Sequence, residues 1–502
     1  MSKSIEKRAF DSTIAGIALF VISFFQSIIL VPFFLKYWGN EKYSIWLTLY
    51  AFVNLMRTLD TGHQNYIGNE FNKFYHQDKE KAHHLLGSSF KVAYLLGFLE
   101  LLIYLIILVA GLQGRVVGVN ESSFNVSWGI ISFLVMWLLV GSAGGILVKI
   151  ILPIGKYSRS LYLNIIIKVL ETVSILICVY WGSSINMLCF IVAGCWLVYT
   201  LYLFYDIKRM MPEFFPWWKG GSMKEGFSNL GKSFILTVNG FIEQFSLNGI
   251  LVFIASIVGV LKVPAFTTLR TIGNTFTQAT TIVLNPLIPD LIRFHVKGEY
   301  DKISTIIVAN WFISGLIVNL PLLLLTPFIA PLFNWWTKGL VAFDLVLYLT
   351  ITLSISLVNY GKTFVVYLTG INNLRALTVI TFSRFAIVFL LGLPLLRAYG
   401  LRSLGWSFLL AEIVSSVIIP FLFVKMQMSR EGVHFTRKEL GLSLLPVLLL
   451  ATYYLLFYYF QGLLLATVFA LLLILVLWLQ WKSLSENVRA RLLSFVPASV
   501  RR

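Results

Sequence analysis

The sequence predicts an all-α polytopic membrane protein of about 14 transmembrane helices, arranged as two six-helix lobes in parallel repeat plus two C-terminal helices. Three observations predict it. Of 502 residues, 58% are hydrophobic and only 12% charged, too little charge to cover a soluble protein of this length. The apolar residues fall in runs of about 20 or more, the length that crosses a hydrocarbon core. The basic excess, a net charge of +18, is spread unevenly over alternate loops.

The runs lie near 10–35, 43–69, 87–110, 126–150, 161–181, 186–207, 233–258, 264–291, 303–326, 341–369, 376–398, 404–425, 442–460 and 463–481. The first is too long for the core of a signal peptide and lacks a small-x-small cleavage site, so it reads as an uncleaved span. Only Gln461 and Gly462 separate the last two. With the N-terminus inside, inner loops and tails hold about 28 Lys and Arg, outer loops about 7 and the spans about 5. The outer set is Lys36, Lys42, Arg115, Lys262, Lys338, Arg397 and Arg402. This bias places both termini in the cytoplasm, and one missed span would scramble it. The basic excess therefore sets topology, and nucleic acid is not an expected partner. Cys178, Cys189 and Cys195 sit in apolar stretches without metal-ligand spacing and read as small buried hydrophobes.

No loop is long enough to fold alone. The longest, 208–232, is broken by Pro212, Pro216 and the pair Gly220-Gly221. Phe214, Phe215, Trp217 and Trp218 among its lysines predict an interfacial anchor, a linker lying on the inner membrane face. The tail beyond Lys482 alternates basic residues with Leu484, Val488, Leu492 and Val496, and is expected on the same surface. The domain reading is thus 1–207 for the N-terminal lobe (helices 1–6), 208–232 for the linker, 233–425 for the C-terminal lobe (helices 7–12), and 426–502 for helices 13–14 and a basic cytoplasmic tail. A constant offset of about 220 supports the repeat: Gly39 falls on Gly259, Lys42 on Lys262, Trp46 on Phe266, Leu49 on Leu269, Glu70 on Asp290, Lys73 on Arg293 and Phe74 on Phe294. Transporters built from such lobes bind substrate between them, near the midplane, and rock.

Leu35, Gly39, Tyr43-Ser44-Ile45-Trp46, Leu59-Asp60-Thr61-Gly62 and Asn69 resemble the polysaccharide flippases of the multidrug/oligosaccharidyl-lipid/polysaccharide exporter superfamily. The pattern there is a Gly, a Tyr-(Gly/Ser)-x-Trp step into span 2 and an Asp-x-Gly near its inner end; Ser44 stands here where Gly is common. Pro286, Pro289 and Asp290 resemble the proline-rich end of that family's span 8. The resemblance covers about the first twelve spans. It implies translocation of a polyprenyl-pyrophosphate-linked oligosaccharide, such as an O-antigen unit of lipopolysaccharide, from the inner to the outer leaflet of a bacterial cytoplasmic membrane. It further implies alternating access coupled to a proton or sodium gradient, with no cofactor and no bond made or broken. Membrane lipids and a glycan polymerase machinery are the partners it implies.

Charges inside spans are costly and mark candidate sites. The basic ones are Arg57, Lys168, Arg270, Lys362 and Arg384; the acidic ones are Asp60, Glu100, Glu171, Glu243 and Glu412. Arg57 with Asp60, and Lys168 with Glu171, are three apart and share a helix face, so each pair is expected either to neutralise itself or to serve the site. Arg270 has no acidic neighbour at helical spacing on a span rich in Thr, Asn and Gln, which predicts a wet cavity wall. A guanidinium there suits the oxygens of a pyrophosphate; the alternative is a salt bridge to Glu243 or Asp60. Arg57, Arg270, Lys362 and Arg384 are therefore the candidate substrate-binding residues, with inward snorkelling the alternative for the last two. Glu243, Asp60 and Glu171 are the candidate ion-coupling carboxylates, Glu243 first for its mid-bilayer position. His63, His76, His83 and His84 cluster near the inner end of span 2 and read as a solvated loop, not a metal site.

The sequence holds no P-loop, zinc motif or nucleophile elbow, and its outer loops are short, which argues against an enzyme such as a membrane glycosyltransferase. A drug-extruding antiporter of the same superfamily is the other alternative. Those favour cationic substrates and acidic cavities, whereas spans 2, 8, 10 and 11 here carry basic residues.

Overall fold

The computed structural model describes residues 2–75, 77–117, 126–151, 154, 156–284, 291–292, 294–295, 297–371, 373–430, 435, 437–484, 486 and 489. The described residues are helical nearly throughout, in sixteen helices: α1 Ser2–Tyr37, α2 Gly39–Met56, α3 Thr61–Tyr75, α4 Lys79–Val109, α5 Gln113–Val117, α6 Ser127–Ile150, α7 Tyr157–Tyr180, α8 Ile185–Met210, α9 Met223–Val258, α10 Val263–Leu284, α11 Tyr300–Thr337, α12 Leu345–Gly370, α13 Leu374–Tyr399, α14 Leu401–Arg430, α15 Arg437–Phe460 and α16 Leu463–Ser483.

Twelve of these are long and apolar enough to cross a membrane. The two missing from the expected set are spans 2 and 8, and both are present as helices. Span 2 is divided: α2 stops at Met56 and α3 starts at Thr61, with Arg57–Asp60 forming a turn. Span 8 is α10, whose 22 residues include seven threonines and Arg270 and fall short on apolarity, not on length. Each exception is thus made by the polar residues within the run.

The spans sort their residues by helical period. On α4, Ala93, Gly97, Glu100 and Tyr104 recur every three to four residues and are buried. Phe98, Leu99, Leu102, Ile103 and Ile106 project outward from the other side. Such a face is unfavourable in water and is at home in hydrocarbon, where only a helix satisfies its own backbone. Five spans carry a π-helical turn of five or six residues, at Trp137–Gly141, Phe245–Gly249, Gly315–Asn319, Val388–Gly392 and Ile413–Ile418. Two of these turns position polar side chains described below.

By contacts the chain forms two compact units, Met1–Ala265 and Phe266–Arg502. These units are not drawn where the repeat-based lobes were: α9 packs on α3 and α4 in the first unit. The motif residue Gly62 explains part of that contact, since a Cβ there would lie 2.2 Å from the Thr237 Cα atom of α9. Gly39 and Gly259 both adopt positive φ (71° and 96°), a conformation that costs other residues energy. Pro286, Pro289, Asp290 and Arg293 lie outside the described residues, as do His76 and the tail beyond 489.

The linker differs from its expected form. Phe214 and Trp217 are buried in the first unit among Phe71, Phe90, Leu203 and Ile207, while Trp218 is exposed. The two histidines read as solvated hold it there: His83 Nε2 contacts the Pro216 carbonyl at 3.0 Å, and the Gly221 amide donates to His84 Nδ1 at 3.1 Å. Lys91 Nζ also donates to the Gly221 carbonyl at 2.8 Å. An aromatic cluster flanked by lysines reads the same whether it meets lipid or core. The nearby aromatic and aliphatic face of α3, α4 and α8 decides it here.

Candidate functional site

Intramembrane charges gather in two places, one in each unit, and the balance of sign differs between them. In the first unit the break in span 2 is the organising feature. Thr58 Oγ1 donates back to the Asn54 carbonyl at 2.8 Å, and the amides of Thr58, Leu59 and Thr61 bond three residues back instead of four. This tightened turn presents Arg57 and Asp60 to the interior.

Arg57 and Asp60 do not form an ion pair. Both use Trp137, the first residue of the π-helical turn in α6. The Arg57 guanidinium lies 4.0 Å from the Trp137 ring and 5.3 Å from that of Trp196, while Trp137 Nε1 donates to Asp60 Oδ2 at 3.2 Å. Arg57 Nε and Asp60 Oδ1 have no hydrogen-bond partner of normal geometry. Gln64 and Ser142 flank Asp60. Glu171 likewise takes a partner other than the expected Lys168: Tyr50 Oη donates to Glu171 Oε1 at 3.0 Å. Glu100 of α4 completes the group. It is 1% exposed, lies within electrostatic reach of Arg57 and Asp60, and neither of its carboxylate oxygens is hydrogen-bonded. Among the described residues, one half-buried guanidinium thus lies within electrostatic reach of three buried carboxylates, with the half-buried Lys168 as a further cation beside Glu171. Glu243, the first choice from sequence, stands apart on α9: it is exposed and forms no hydrogen bond or ion pair among the described residues.

In the second unit the balance is reversed. Arg384 of α13 does not snorkel. It pairs with Glu412 of α14, Nε to Oε1 at 2.9 Å and Nη2 to Oε2 at 3.0 Å, and donates to Ser415 Oγ at 3.2 Å and Ser416 Oγ at 2.9 Å. The two serines belong to the π-helical turn Ile413–Ile418. Gly361 of α12 lets this turn approach, for a Cβ there would fall 1.6 Å from the Ser416 carbonyl oxygen. Arg270 of α10 lies by the rings of Phe266 and Phe408, 5.9 and 5.8 Å away, and within the field of Glu412.

Lys362 also turns inward. Its ammonium donates to the Thr277 carbonyl at 2.9 Å, to Thr280 Oγ1 at 3.3 Å and to Thr281 Oγ1, fastening α12 to α10. Asn359, one turn earlier, donates to Thr277 Oγ1 at 3.0 Å and accepts from Thr280, and Asn310 Nδ2 donates to the Asn359 carbonyl at 3.2 Å. Every acceptor of Lys362 is neutral, and no carboxylate pairs with it among the described residues. Among the described residues, the intramembrane cations of this unit are Arg270, Lys362 and Arg384, and the carboxylate Glu412 pairs with Arg384 and acts on Arg270. On α10, Asn274 and Gln278, one turn apart, are exposed.

Sequence reasoning named every one of these charged residues but not their partners. It gave no role to Glu100, Tyr50, Trp137 or Asn359. Glu100 was visible as an intramembrane acid; the other three carried no signal, since a Tyr, a Trp and an Asn in a span read as ordinary. Among the described residues no group of three His, Cys, Asp or Glu is placed to hold a metal ion.

No family model matches the chain, and no curated protein matches it by sequence. Solved structures do match by fold. The lipid II flippase MurJ, in an inward closed conformation, superposes with a TM-score of 0.64 over 92% of this chain and 97% of its own, at 13% identity. The Vibrio cholerae MATE transporter VcmN gives a TM-score of 0.61 over 85% of this chain and 98% of its own, at 15% identity. A MOP superfamily transporter from Pyrococcus furiosus, described as having a binding pocket of reversed polarity, gives 0.55 over 85% and 97%, at 14% identity. The chain thus shares the fold of these transporters and of this flippase.

Proposed function

We propose that this protein translocates a polyprenyl-pyrophosphate-linked oligosaccharide between membrane leaflets, by alternating access coupled to a cation gradient. The observation that carries the reading is the base-rich interior of the second unit, on a fold shared with a lipid II flippase. Half-buried cations within spans attract an anion, and the phosphates of a lipid pyrophosphate fit forked donors such as Arg270. In this reading Arg270 and Lys362 bind substrate, Arg384 is held by Glu412 as their support, and Arg57 is a further proposed substrate-binding residue. Asp60, Glu171 and Glu243 are the proposed coupling carboxylates, with proton or sodium as the driving ion. The O-antigen of lipopolysaccharide is the expected type of cargo, and the cytoplasmic membrane the expected location.

A binding experiment tests this directly. Purified protein in nanodiscs is titrated with a short-chain polyprenyl pyrophosphate and, separately, with a cationic dye. Saturable binding of the pyrophosphate that weakens in Arg270→Ala supports the reading. Binding of the dye alone would favour a MATE-type drug exporter.

A further inference from the structure

The first unit also holds a cavity of about 270 Å³, lined by α3, α4 and α9 and by none of the intramembrane charges. Two close approaches set its walls. Gly62 of α3 meets Thr237 of α9, and Gly226 of α9 meets α4, where a Cβ would lie 2.7 Å from the Ser88 carbonyl oxygen. Beside these contacts the helices leave a crevice. Its α3 wall is the stripe Tyr66, Glu70 and Phe74, one residue per turn, leading away from Gly62. Lys81 and His84 stand on the α4 wall, and Glu225, Ser228 and Lys232 on the α9 wall. The linker fixes one of them: the Gly221 amide donates to His84 Nδ1, which leaves Nε2 as the ring's donor. The level of the crevice follows from the sequence. Helix α4 opens Lys79-Glu80-Lys81 before its first leucines, and α9 carries Lys224, Glu225 and Lys232 before Phe234-Ile235-Leu236. Both helices pass there from polar to apolar residues, the depth of lipid headgroups, at the end that the basic bias predicts to be cytoplasmic. Phe227 and Trp218 are exposed at the same end.

We propose that this crevice binds a zwitterionic headgroup, a phosphate joined to a primary ammonium as in the phosphoethanolamine of a membrane lipid. The charges of the walls decide the class of ligand. Lys81 and Lys232 balance Glu70 and Glu225. A bare anion would meet two carboxylates and a bare cation two ammoniums, whereas a ligand of both signs meets each with its opposite. The donors for a phosphate are available: Lys232 and Ser228 are exposed and have no partner among the described residues. Each acid keeps an oxygen for the ammonium. Glu70 uses Oε1 to accept from Lys73, and Glu225 uses Oε2 to accept from the Ser222 amide at 2.9 Å. The Phe74 ring already carries the Lys81 ammonium at 4.5 Å, so a quaternary ammonium finds no aromatic cage here. Basic pockets between helices at this depth are a common mode of headgroup recognition, and the paired acids add selection for the amine. The site stands apart from the transport reading and does not depend on the cargo.

The test uses the full-length protein, purified in detergent, stripped of lipid and titrated with short-chain phosphatidylethanolamine under native mass spectrometry. One molecule per chain should bind ahead of the rest. Phosphatidylglycerol, which lacks the ammonium, and phosphatidylcholine, which lacks its N–H donors, should bind more weakly. Lys232→Ala removes a phosphate donor and Glu70→Gln the charge that holds the ammonium, and each should weaken binding about tenfold, the worth of one charge-assisted hydrogen bond. Both variants should fold, since Lys232 is exposed and the Glu70–Lys73 pair lies at the surface. Soluble phosphoethanolamine is the second arm. Competition with the lipid supports the headgroup as the part recognised, and binding as tight as the lipid's assigns the site to a soluble phosphoamine of the same chemistry. Equal binding of phosphatidylglycerol, or an affinity unchanged in either variant, would overturn the proposal.

Discussion

Removing Glu412, the carboxylate that holds Arg384, is the sharpest perturbation of the second unit's charge balance. In Glu412→Gln the side chain keeps its shape and loses its charge. Arg384 then loses two charge-assisted hydrogen bonds, of 2.9 and 3.0 Å, and stays behind as a buried guanidinium. Breaking a buried pair this way costs about 3–5 kcal/mol. The Arg384 side chain is 25% exposed against 7% for Glu412, so water recovers part of the loss and about 3 kcal/mol is the expected value. Ser415 and Ser416 still accept from Arg384, which limits the damage, whereas the nearby Arg270 loses the field of its carboxylate. Thermal unfolding of the purified protein in detergent, read as a double-mutant cycle with Arg384→Leu and Glu412→Leu, measures this. Each single change should destabilise strongly, and the double change should recover most of the loss because no charge is left buried alone. A Glu412→Gln protein as stable as wild type, or a double variant as unstable as the sum of the singles, would refute the reasoning.

Other outcomes follow from the same contacts. Arg270→Ala should abolish transport while membrane insertion, followed by protease accessibility, stays intact, and Arg270→Lys should restore little because the forked donor geometry is lost. Trp137→Phe keeps a ring against Arg57 but removes the 3.2 Å donor to Asp60, so thermal stability should fall by about 1–3 kcal/mol. Gly361→Ala would drive a methyl to 1.6 Å from a backbone oxygen that only a shift of the π-helical turn can relieve; a loss of about 3 kcal/mol in an unfolding titration is expected.

The span pattern was legible because the bilayer imposes a length and a composition that local sequence must satisfy. Even the two spans that miss the apolar criterion, α2 with α3 and α10, are present as helices, although α3 is largely polar and α10 rich in threonine. What the sequence did not reveal is who meets whom. Helical spacing put Arg57 beside Asp60 and Lys168 beside Glu171, yet both acids take partners from other elements, Trp137 of α6 for Asp60 and Tyr50 of α2 for Glu171. A spacing of three residues brings side chains to one face but does not say whether a better donor waits across the interface. The π-helical turns were invisible for a related reason. Each needs a neighbour that rewards the extra residue, as Arg384 does for Ser415 and Ser416. Phe214 and Trp217 of the linker are buried and not interfacial, because burial depends on the α3, α4 and α8 surface that receives them.

The most direct test of the central claim is flipping of a fluorescent polyprenyl-pyrophosphate oligosaccharide in liposomes that contain the purified protein, under an imposed proton or sodium gradient. The expected result is flipping that depends on the gradient and is lost in Arg270→Ala. Absence of flipping across several glycans by intact protein, with gradient-driven movement of a cationic drug in its place, would contradict it.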